Sequence, residues 1–394
     1  MRVLVTGANG FVGKNLCAAL ECIRDGKDRR SHVRALLPLE LYRYDRANSP
    51  DELAQWCGAC DFVFHLAGVN RPKDQVEFAG NVQGLEDVLR CLEAADNRCP
   101  VMLASFVQAT LAGRFAGSAY GKSKLEAERL LRAHGKAHGS RVLVYRLPNL
   151  YGKWCRPNYN SAVATFCDAV AHSKPYVVND PSTELELLYI DDLVEELLRA
   201  LLGRERREGA FCVAGPTNHV TLGRIVELLE GFKASRTSLL VPDVSPGSFS
   251  KKLLSTFQSY LEPHELSYAL DARTDERGSF VEVLKTADRG QVSVNVSAPG
   301  ATKGRHWHHS KWEKFLVVSG EALIRVRKLG SDATGEPYPV TEYHVRGEEP
   351  TVVEMVPGHV HSIENLSDER ELVTLMWANE CFDPEQPDTF YEEI

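Results

Sequence analysis

Residues 300–320 read GATKGRHWHHSKWEKFLVVSG. His306 and His308 are two apart, so on a strand both rings turn to the same face. Glu313 follows five residues later, near enough to return on the same or the next strand. A second piece, PGHVH at 357–361 with Asn365 beyond it, contributes His361. Imidazole nitrogens with one carboxylate oxygen form the ligand set that suits a divalent transition metal, zinc being a common occupant. Lone His-x-His pairs are frequent, but the glutamate and the distant histidine at these offsets are not. His306, Glu313 and His361 are therefore the expected metal ligands, with His308 a fourth ligand or a close neighbour.

The pattern G-x5-H-x-H-x4-E-x6-G runs from Gly300 to Gly320 without a gap. It resembles the first motif of the cupin superfamily. The run from Gly358 through His361 to Asn365 resembles the second, with its proline moved next to the glycine. The residues agree by themselves. From Arg273 onward short alternating strands recur at 291–296, 315–318, 322–326 and 372–377, as in a small antiparallel barrel. DERGSFVE at 275–282 also resembles the entrance motif of deoxysugar epimerases built on a cupin barrel. Those enzymes place a catalytic histidine where this chain has His306, which here reads as a metal ligand, so their base does not carry over.

A chain of 394 residues predicts two or three domains. Its 43% apolar and 25% charged residues suit full globular cores. A net charge of −8 argues against nucleic acid or anionic membranes as main partners. No apolar run approaches the ~18 residues of a membrane span, and the first residues enter a strand pattern without a signal peptide's apolar region. The ten scattered cysteines suit reduced thiols in a cytoplasm. Cys57 and Cys60 form a lone C-x-x-C, read as buried thiols.

The first half alternates short β-branched runs with helix-length segments, which predicts a parallel sheet covered on both faces. Val3–Val5 is the first strand, TGANGFVG at 6–13 the turn, and the helix opens at Lys14. Gly7, Gly10 and Gly13 would serve a tight turn, close approach to a pyrophosphate and helix packing. Phosphates would sit at the free N–H groups of Phe11, Val12 and Gly13. The second strand ends near Tyr44, before Asp45 and Arg46: the acid suits the ribose of NAD, the arginine the extra phosphate of NADP. DFVFHLAG at 61–68 is a further buried strand whose end, Leu66, Ala67 and Gly68, would lie close to the cofactor. In SAYGKSK at 118–124, Tyr120 and Lys124 share a helical face. An ammonium beside a phenol is expected to lower the phenol's pKa and ready it for acid–base work.

Over its first ~240 residues the chain resembles the extended short-chain dehydrogenase/reductase family, through TGANGFVG, HLAG, Asn81, Y-x-x-x-K, RLPNLYG and YIDDL. The resemblance implies that Tyr120 is the proton donor and that Lys124 holds the nicotinamide ribose. It implies that Asn149 contacts a nucleotide-sugar. The family's Ser or Thr after the strand preceding Tyr120 aligns with Phe106, leaving Ser105 (the candidate we carry as catalytic) or Thr110 as substitute.

Together the halves resemble the bifunctional family of capsular-polysaccharide enzymes that act on UDP-2-acetamido-2,6-dideoxy-hexos-4-ulose. Shared runs are HLAGVNRP (65–72), PNLYGKWC (148–155), PNYNS (157–161), DRGQVSVNV (288–296), EKFLVVSG (313–320) and FDPEQPDT (382–389). Arg71 and Asn158 of these runs join Asn149 as expected substrate contacts. The implied architecture is a Rossmann-type doubly wound α/β domain at 1–245, a linker with a helix at 246–270, and an all-β cupin barrel at 271–394. The implied chemistry is C3 epimerisation in a zinc cupin, then NADPH-dependent reduction of the C4 ketone to UDP-N-acetyl-6-deoxy-L-talosamine, on the route to N-acetyl-L-fucosamine. A C4 ketone acidifies the C3 proton, and a Lewis acid favours its removal. The expected state is a cytoplasmic homodimer whose partner is the UDP-linked 4-keto-6-deoxy amino sugar, with no nucleic acid and no membrane. The rivals are a 4-ketosugar reductase with a purely structural cupin and a non-catalytic nucleotide-sugar sensor.

Overall fold

The structure is a computed structural model that describes residues 1–69, 78 and 80–394; Arg71 lies outside the described residues. The chain divides into two compact units, Met1–Glu230 with Gly247–Leu261 and Gly231–Pro246 with Glu262–Ile394. No helix among the described residues is long and apolar enough to cross a membrane.

The first unit opens with β1 (Arg2–Thr6), α1 (Phe11–Arg24), β2 (Glu40–Tyr44), α2 (Pro50–Ala59), β3 (Phe62–His65), α3 (Gly80–Ala94) and β4 (Val101–Phe106). It continues through α4 (Ala119–His138), β5 (Val142–Leu147), β6 (Asn149–Tyr151), α5 (Ala162–Ala171), β7 (Glu184–Tyr189), α6 (Ile190–Leu201), β8 (Arg207–Glu208), β9 (Phe211–Cys212) and β10 (Thr217–Thr221). α7 (Leu222–Ser238) and α8 (Phe249–Gln258) follow. The main sheet has the order β2-β1-β3-β4-β5-β9-β8, parallel except for the terminal β8–β9 pair. Val3, Leu4 and Val5 are fully buried, as a strand covered on both faces must be. The chain runs outward from β1 to β2 and then back across β1 to β3. This reversal opens a crevice at the carboxyl ends of β1 and β3, the place where doubly wound folds bind ligands. A bond of 3.0 Å between Thr6 Oγ1 and His65 Nδ1 ties those two ends together.

Local chemistry starts the helices where the site needs them. Ser49 caps α2 in a reciprocal box with Glu52, and Pro50 takes the first turn. Ser118 caps α4 by accepting from the Gly121 N–H, which sets Tyr120 in the first turn, and Gly139 ends the helix at φ +70. α6 turns Leu193, Val194, Leu197, Leu198 and Leu201 into the core.

The second unit is antiparallel β throughout its strands: β11 (Ala272–Asp275), β12 (Gly278–Thr286), β13 (Gly290–Ser297), β14 (Thr302–Trp307), β15 (Glu313–Ser319), β16 (Glu321–Lys328), β17 (Thr341–Arg346), β18 (Val352–Met355), β19 (His359–Asn365), β20 (Leu372–Ala378) and β21 (Phe390–Tyr391). They form two sheets of order β11-β12-β13-β20-β15-β18 and β17-β16-β19-β14-β21, a cupin-like barrel. Phe315, Val317, Ile324, Val345, Met355 and Ile363 are among its apolar core. Strand β13 is reversed in polarity. Gln291, Ser293, Asn295 and Ser297 are buried, whereas Val292, Val294 and Val296 are only partly so.

The glycine turn is held by close packing. A Cβ on Gly13 would stand 2.1 Å from the Gly7 carbonyl oxygen and 2.8 Å from Ala8 Cα, both backbone atoms. Gly13→Ala is therefore expected to cost about 1–3 kcal/mol through overpacking, and to weaken nicotinamide binding because the phosphate-facing turn must shift. Thermal melts and fluorescence titration with cofactor check it; unchanged melting and affinity would refute the packing argument.

Candidate active site and metal centre

In the first unit, the crevice is bordered by the turn after β1 and the segment after β3. Gly7 lies at φ +69, and a Cβ there would meet the Ala67 nitrogen at 2.7 Å. The helix α1 has Gly10 at its N-cap with no side-chain cap. Its first N–H groups, on Phe11, Val12 and Gly13, thus lack a capping side chain and can receive an anion. Gly68 closes the far side: a Cβ there would stand 2.9 Å from Lys124 Nζ. Asn81 braces this segment by accepting from the Val69 N–H at 2.7 Å and donating to Ser123 Oγ at 3.1 Å. Glycine at the crowded positions and free N–H groups at a helix start fit a dinucleotide.

Asp45 and Arg46 differ in what they face. The Asp45 carboxylate accepts from the Asn9 N–H at 2.9 Å and the Arg46 N–H at 2.8 Å. It braces the glycine turn. The Arg46 side chain is exposed and makes no hydrogen bond or ion pair among the described residues.

Tyr120 and Lys124 come together as expected, with Lys124 Nζ 5.7 Å from the Tyr120 ring centroid. Their electrostatics differ from the expectation. Burial pushes the Tyr120 phenol up, with a smaller contribution from Tyr159, and Lys124 does not lower it. Lys124 is itself buried and pushed down to about 8 by desolvation. The phenol thus keeps its proton through the neutral range, as an acid donor must. The ammonium's single protein acceptor among the described residues is the Ala104 carbonyl at 3.4 Å.

Ser105 is elsewhere. Its fully buried hydroxyl donates to Glu128 Oε1 at 2.6 Å, and Glu128 is paired with Arg146 at 2.7 Å. Glu128 lies eight residues beyond Tyr120 on α4, or about 12 Å along a helix axis, and the Ser105 hydroxyl is engaged in this buried network. Thr110 closes its own turn by donating to the Val107 carbonyl at 2.8 Å. Phe106 occupies the neighbouring position, its ring 6.0 Å from that of Tyr120, and Phe78 lies 5.7 Å away on the same ring. Sequence reasoning did not anticipate the Phe78 and Tyr159 contacts, because neither residue type carries a motif. Asn149 is exposed and donates to the Glu186 carbonyl at 3.2 Å; Asn158 is exposed, at φ +54. Neither side chain hydrogen-bonds Tyr120 or Lys124 among the described residues.

In the second unit the expected ligands converge from both sheets. The ligand atoms of His306, His308, Glu313 and His361 all lie within 4.8 Å of one another. A bulge in β14 between Gly304 and His306, with Arg305 at φ +60, brings His306 directly opposite His361 on β19. His308 follows β14, and Glu313 opens β15 in the other sheet. His308 Nδ1 lies against the Asp388 carbonyl and His361 Nδ1 is 3.4 Å from the His359 carbonyl. A carbonyl can only accept, so the proton of each neutral ring sits on Nδ1 and the bare Nε2 lone pair faces inward. Those lone pairs lie 3.3 Å and 3.4 Å from the same oxygen, Glu313 Oε2. His361 Nε2 is buried with no hydrogen bond. Two lone pairs aimed at a carboxylate repel unless a cation lies among them, and this donor set suits zinc. Burial holds His306 down to about 4. His306 and Glu313 also line a cavity of about 360 Å³, with Asn295, Lys303 and Lys311. The cluster is open to a ligand.

Lys124 generates a test in the absence of cofactor. Its folded value near 8 lies below the unfolded value near 10.4. The cost of burying its charge is therefore fully present below pH 8 and fades as pH rises towards 10. Lys124→Met is expected to stabilise the apoprotein at pH 7 by about 1–3 kcal/mol, to lose that advantage near pH 10, and to weaken binding of the expected dinucleotide. Denaturant melts at both pH values, with a fluorescence titration of cofactor, check it.

A model of the NAD dependent epimerase/dehydratase family matches residues 3–214, and one described as a Polysaccharide biosynthesis C-terminal domain matches 273–390. The UDP-2-acetamido-2,6-beta-L-arabino-hexul-4-ose reductase of Pseudomonas aeruginosa is 40% identical over 391 residues, which cover 99% of this chain and 98% of that protein. The crystal structure of the capsular polysaccharide assembling protein CapF from Staphylococcus aureus is 42% identical, with full coverage of both chains and a TM-score of 0.86. UDP-glucuronic acid 4-epimerase from Bacillus cereus, solved with NAD, is 20% identical, covers 66% of this chain and 98% of its own, and at a TM-score of 0.50 shares the fold alone. The chain belongs to the NAD dependent epimerase/dehydratase family, in a two-domain form that ends in a polysaccharide biosynthesis C-terminal domain.

Proposed function

We propose that this protein is a two-site nucleotide-sugar enzyme. The barrel epimerises a UDP-2-acetamido-2,6-dideoxy-hexos-4-ulose at C3, and the first domain reduces the C4 ketone with NADPH to UDP-N-acetyl-6-deoxy-L-talosamine for capsule or O-antigen synthesis. The observation that carries it is the presence in one chain of a Tyr120–Lys124 pair beside a glycine turn and of a cluster of three histidines and one glutamate whose His306 and Glu313 line a cavity. The 40% identity to a UDP-2-acetamido-2,6-beta-L-arabino-hexul-4-ose reductase supports the substrate class.

A bound nicotinamide supplies the hydride. Tyr120 donates its proton to the C4 oxygen, and its upward-shifted phenol keeps that proton available. Lys124 lies 5.7 Å from the Tyr120 ring centroid, where its ammonium would hold the nicotinamide ribose. In the barrel, His306, His308, Glu313 and His361 would hold a divalent metal, whose Lewis-acid charge would ease loss of the C3 proton. Glu313 supplies the anionic ligand, and the Nδ1 contacts of His308 and His361 aim their Nε2 atoms inward. One observation favours a second reading. With His308 included the cluster has four protein ligands, the number of a structural zinc site, and the barrel would then have no turnover of its own.

Incubating the 4-ketosugar in D₂O without NADPH separates the two. Deuterium at C3, seen by NMR, is expected; its absence with zinc bound supports the structural reading and overturns epimerisation. Tyr120→Phe should abolish reduction and leave that exchange intact, because the two reactions use different residues. If a folded Tyr120→Phe variant also loses exchange, the two-site reading fails.

Cofactor choice rests on Asp45 bracing the turn and Arg46 being unpaired. Arg46→Ala is expected to raise the KM for NADPH about 10- to 100-fold, the loss of a charged hydrogen bond of ~1.5–3 kcal/mol, with little change for NADH. Equal effects on both cofactors would assign the ribose to Asp45.

A further inference from the structure

The C-terminal end of the chain reaches the metal cluster through Asp388, eighty residues beyond His308. The Asp388 carboxylate accepts three consecutive backbone N–H groups: His309 on Oδ1 at 2.8 Å, and Ser310 and Lys311 on Oδ2 at 2.8 Å and 2.9 Å. Ser310 Oγ adds a fourth bond at 3.0 Å. A run of adjacent N–H groups is a nest for one anion, and here the anion is a side chain of the same chain. The same residue's carbonyl receives His308 Nδ1. Thr389 Oγ1 receives Lys311 Nζ at 3.0 Å, and β21 pairs its Tyr391 with His306 and its Phe390 with Trp307. Residues 388–391 thus touch the backbone or ring of His306 and His308, and fix the loop that leads to Glu313.

We propose that Asp388 is a positioning residue for the metal centre: its carboxylate locks the 309–311 loop while its carbonyl fixes the tautomer and aim of His308. The proposal rests on the reading that the cluster holds a divalent metal. Both contacts come from one residue, so the loop and the ligand ring cannot move independently. Four hydrogen bonds from one loop onto a single carboxylate make a strong clamp.

The test is zinc release from the zinc-loaded full-length protein to excess chelator, followed by a chromogenic zinc indicator. Asp388→Asn turns an amide N–H₂ toward donors and is expected to release zinc at least 10-fold faster, the range seen when outer-shell partners of metal ligands are removed. Asp388→Glu, which keeps the charge, should restore retention in part. Asp332→Asn is the control. Asp332 also accepts backbone N–H groups in a turn of the same unit, from Thr334 at 2.8 Å and Glu336 at 3.3 Å, without contact to the cluster, and its release should match wild type. Release from Asp388→Asn within twofold of wild type overturns the proposal, as does release that follows melting temperature alone across the three variants. If wild type itself holds no zinc, the metal reading falls with it; if wild type holds zinc and Asp388→Asn holds it as long, only the role of Asp388 falls.

Discussion

The C-terminal barrel is organised around a carboxylate kept ionised where it is nearly dry. Glu313 is 8% exposed, and burial alone would favour its neutral form. Its ionisation needs positive charge beside it, because the two imidazole nitrogens that face it present lone pairs. The arrangement is satisfied only when positive charge sits at its centre. Each outer contact therefore serves the inner one. The bulge at Arg305 turns His306 toward His361, and Phe315 packs edge-on against the His361 ring at 6.0 Å.

The first domain uses the opposite sign to similar effect. Lys124 is an ammonium in an apolar setting, with Phe106 and Tyr120 rings within 5.8 Å of it. Its desolvation destabilises the resting fold, and the fold tolerates this because the sheet and its helices are well buried elsewhere. Both sites thus keep an unfavourable charge in place through packing. Strain of this kind concentrates where a protein acts on a ligand.

The parts legible in the sequence are those whose chemistry is local. Glycines at 7, 10 and 13, a tyrosine and a lysine one turn apart, and histidines two apart on a strand are spacings that backbone geometry converts directly into positions. The ligand set needed only the further step of pairing β14 with β19. What escaped reading depends on partners far along the chain. The Ser105 hydroxyl looks available for catalysis until Glu128, from the next helix, takes it. The phenol of Tyr120 was expected to be lowered by its lysine, but desolvation governs both groups, and burial is a tertiary property. Asp388 stands in the shared run FDPEQPDT, but that run carries no role by itself, and only the fold brings Asp388 to a loop eighty residues earlier.

Strand β13 carries a consequence of its own. The alternation QVSVNVS would place valines inward in an ordinary barrel, yet here the amides and hydroxyls are inside. Asn295 lines the cavity beside the cluster and binds Lys303 Nζ at 2.8 Å. The barrel therefore has an apolar core around Val317 and Met355 that holds it together and, beside it, a cavity toward which β13 turns a polar side chain. Any effort to make this protein hardier by filling its interior with aliphatic side chains would improve the vessel and leave it nothing to contain.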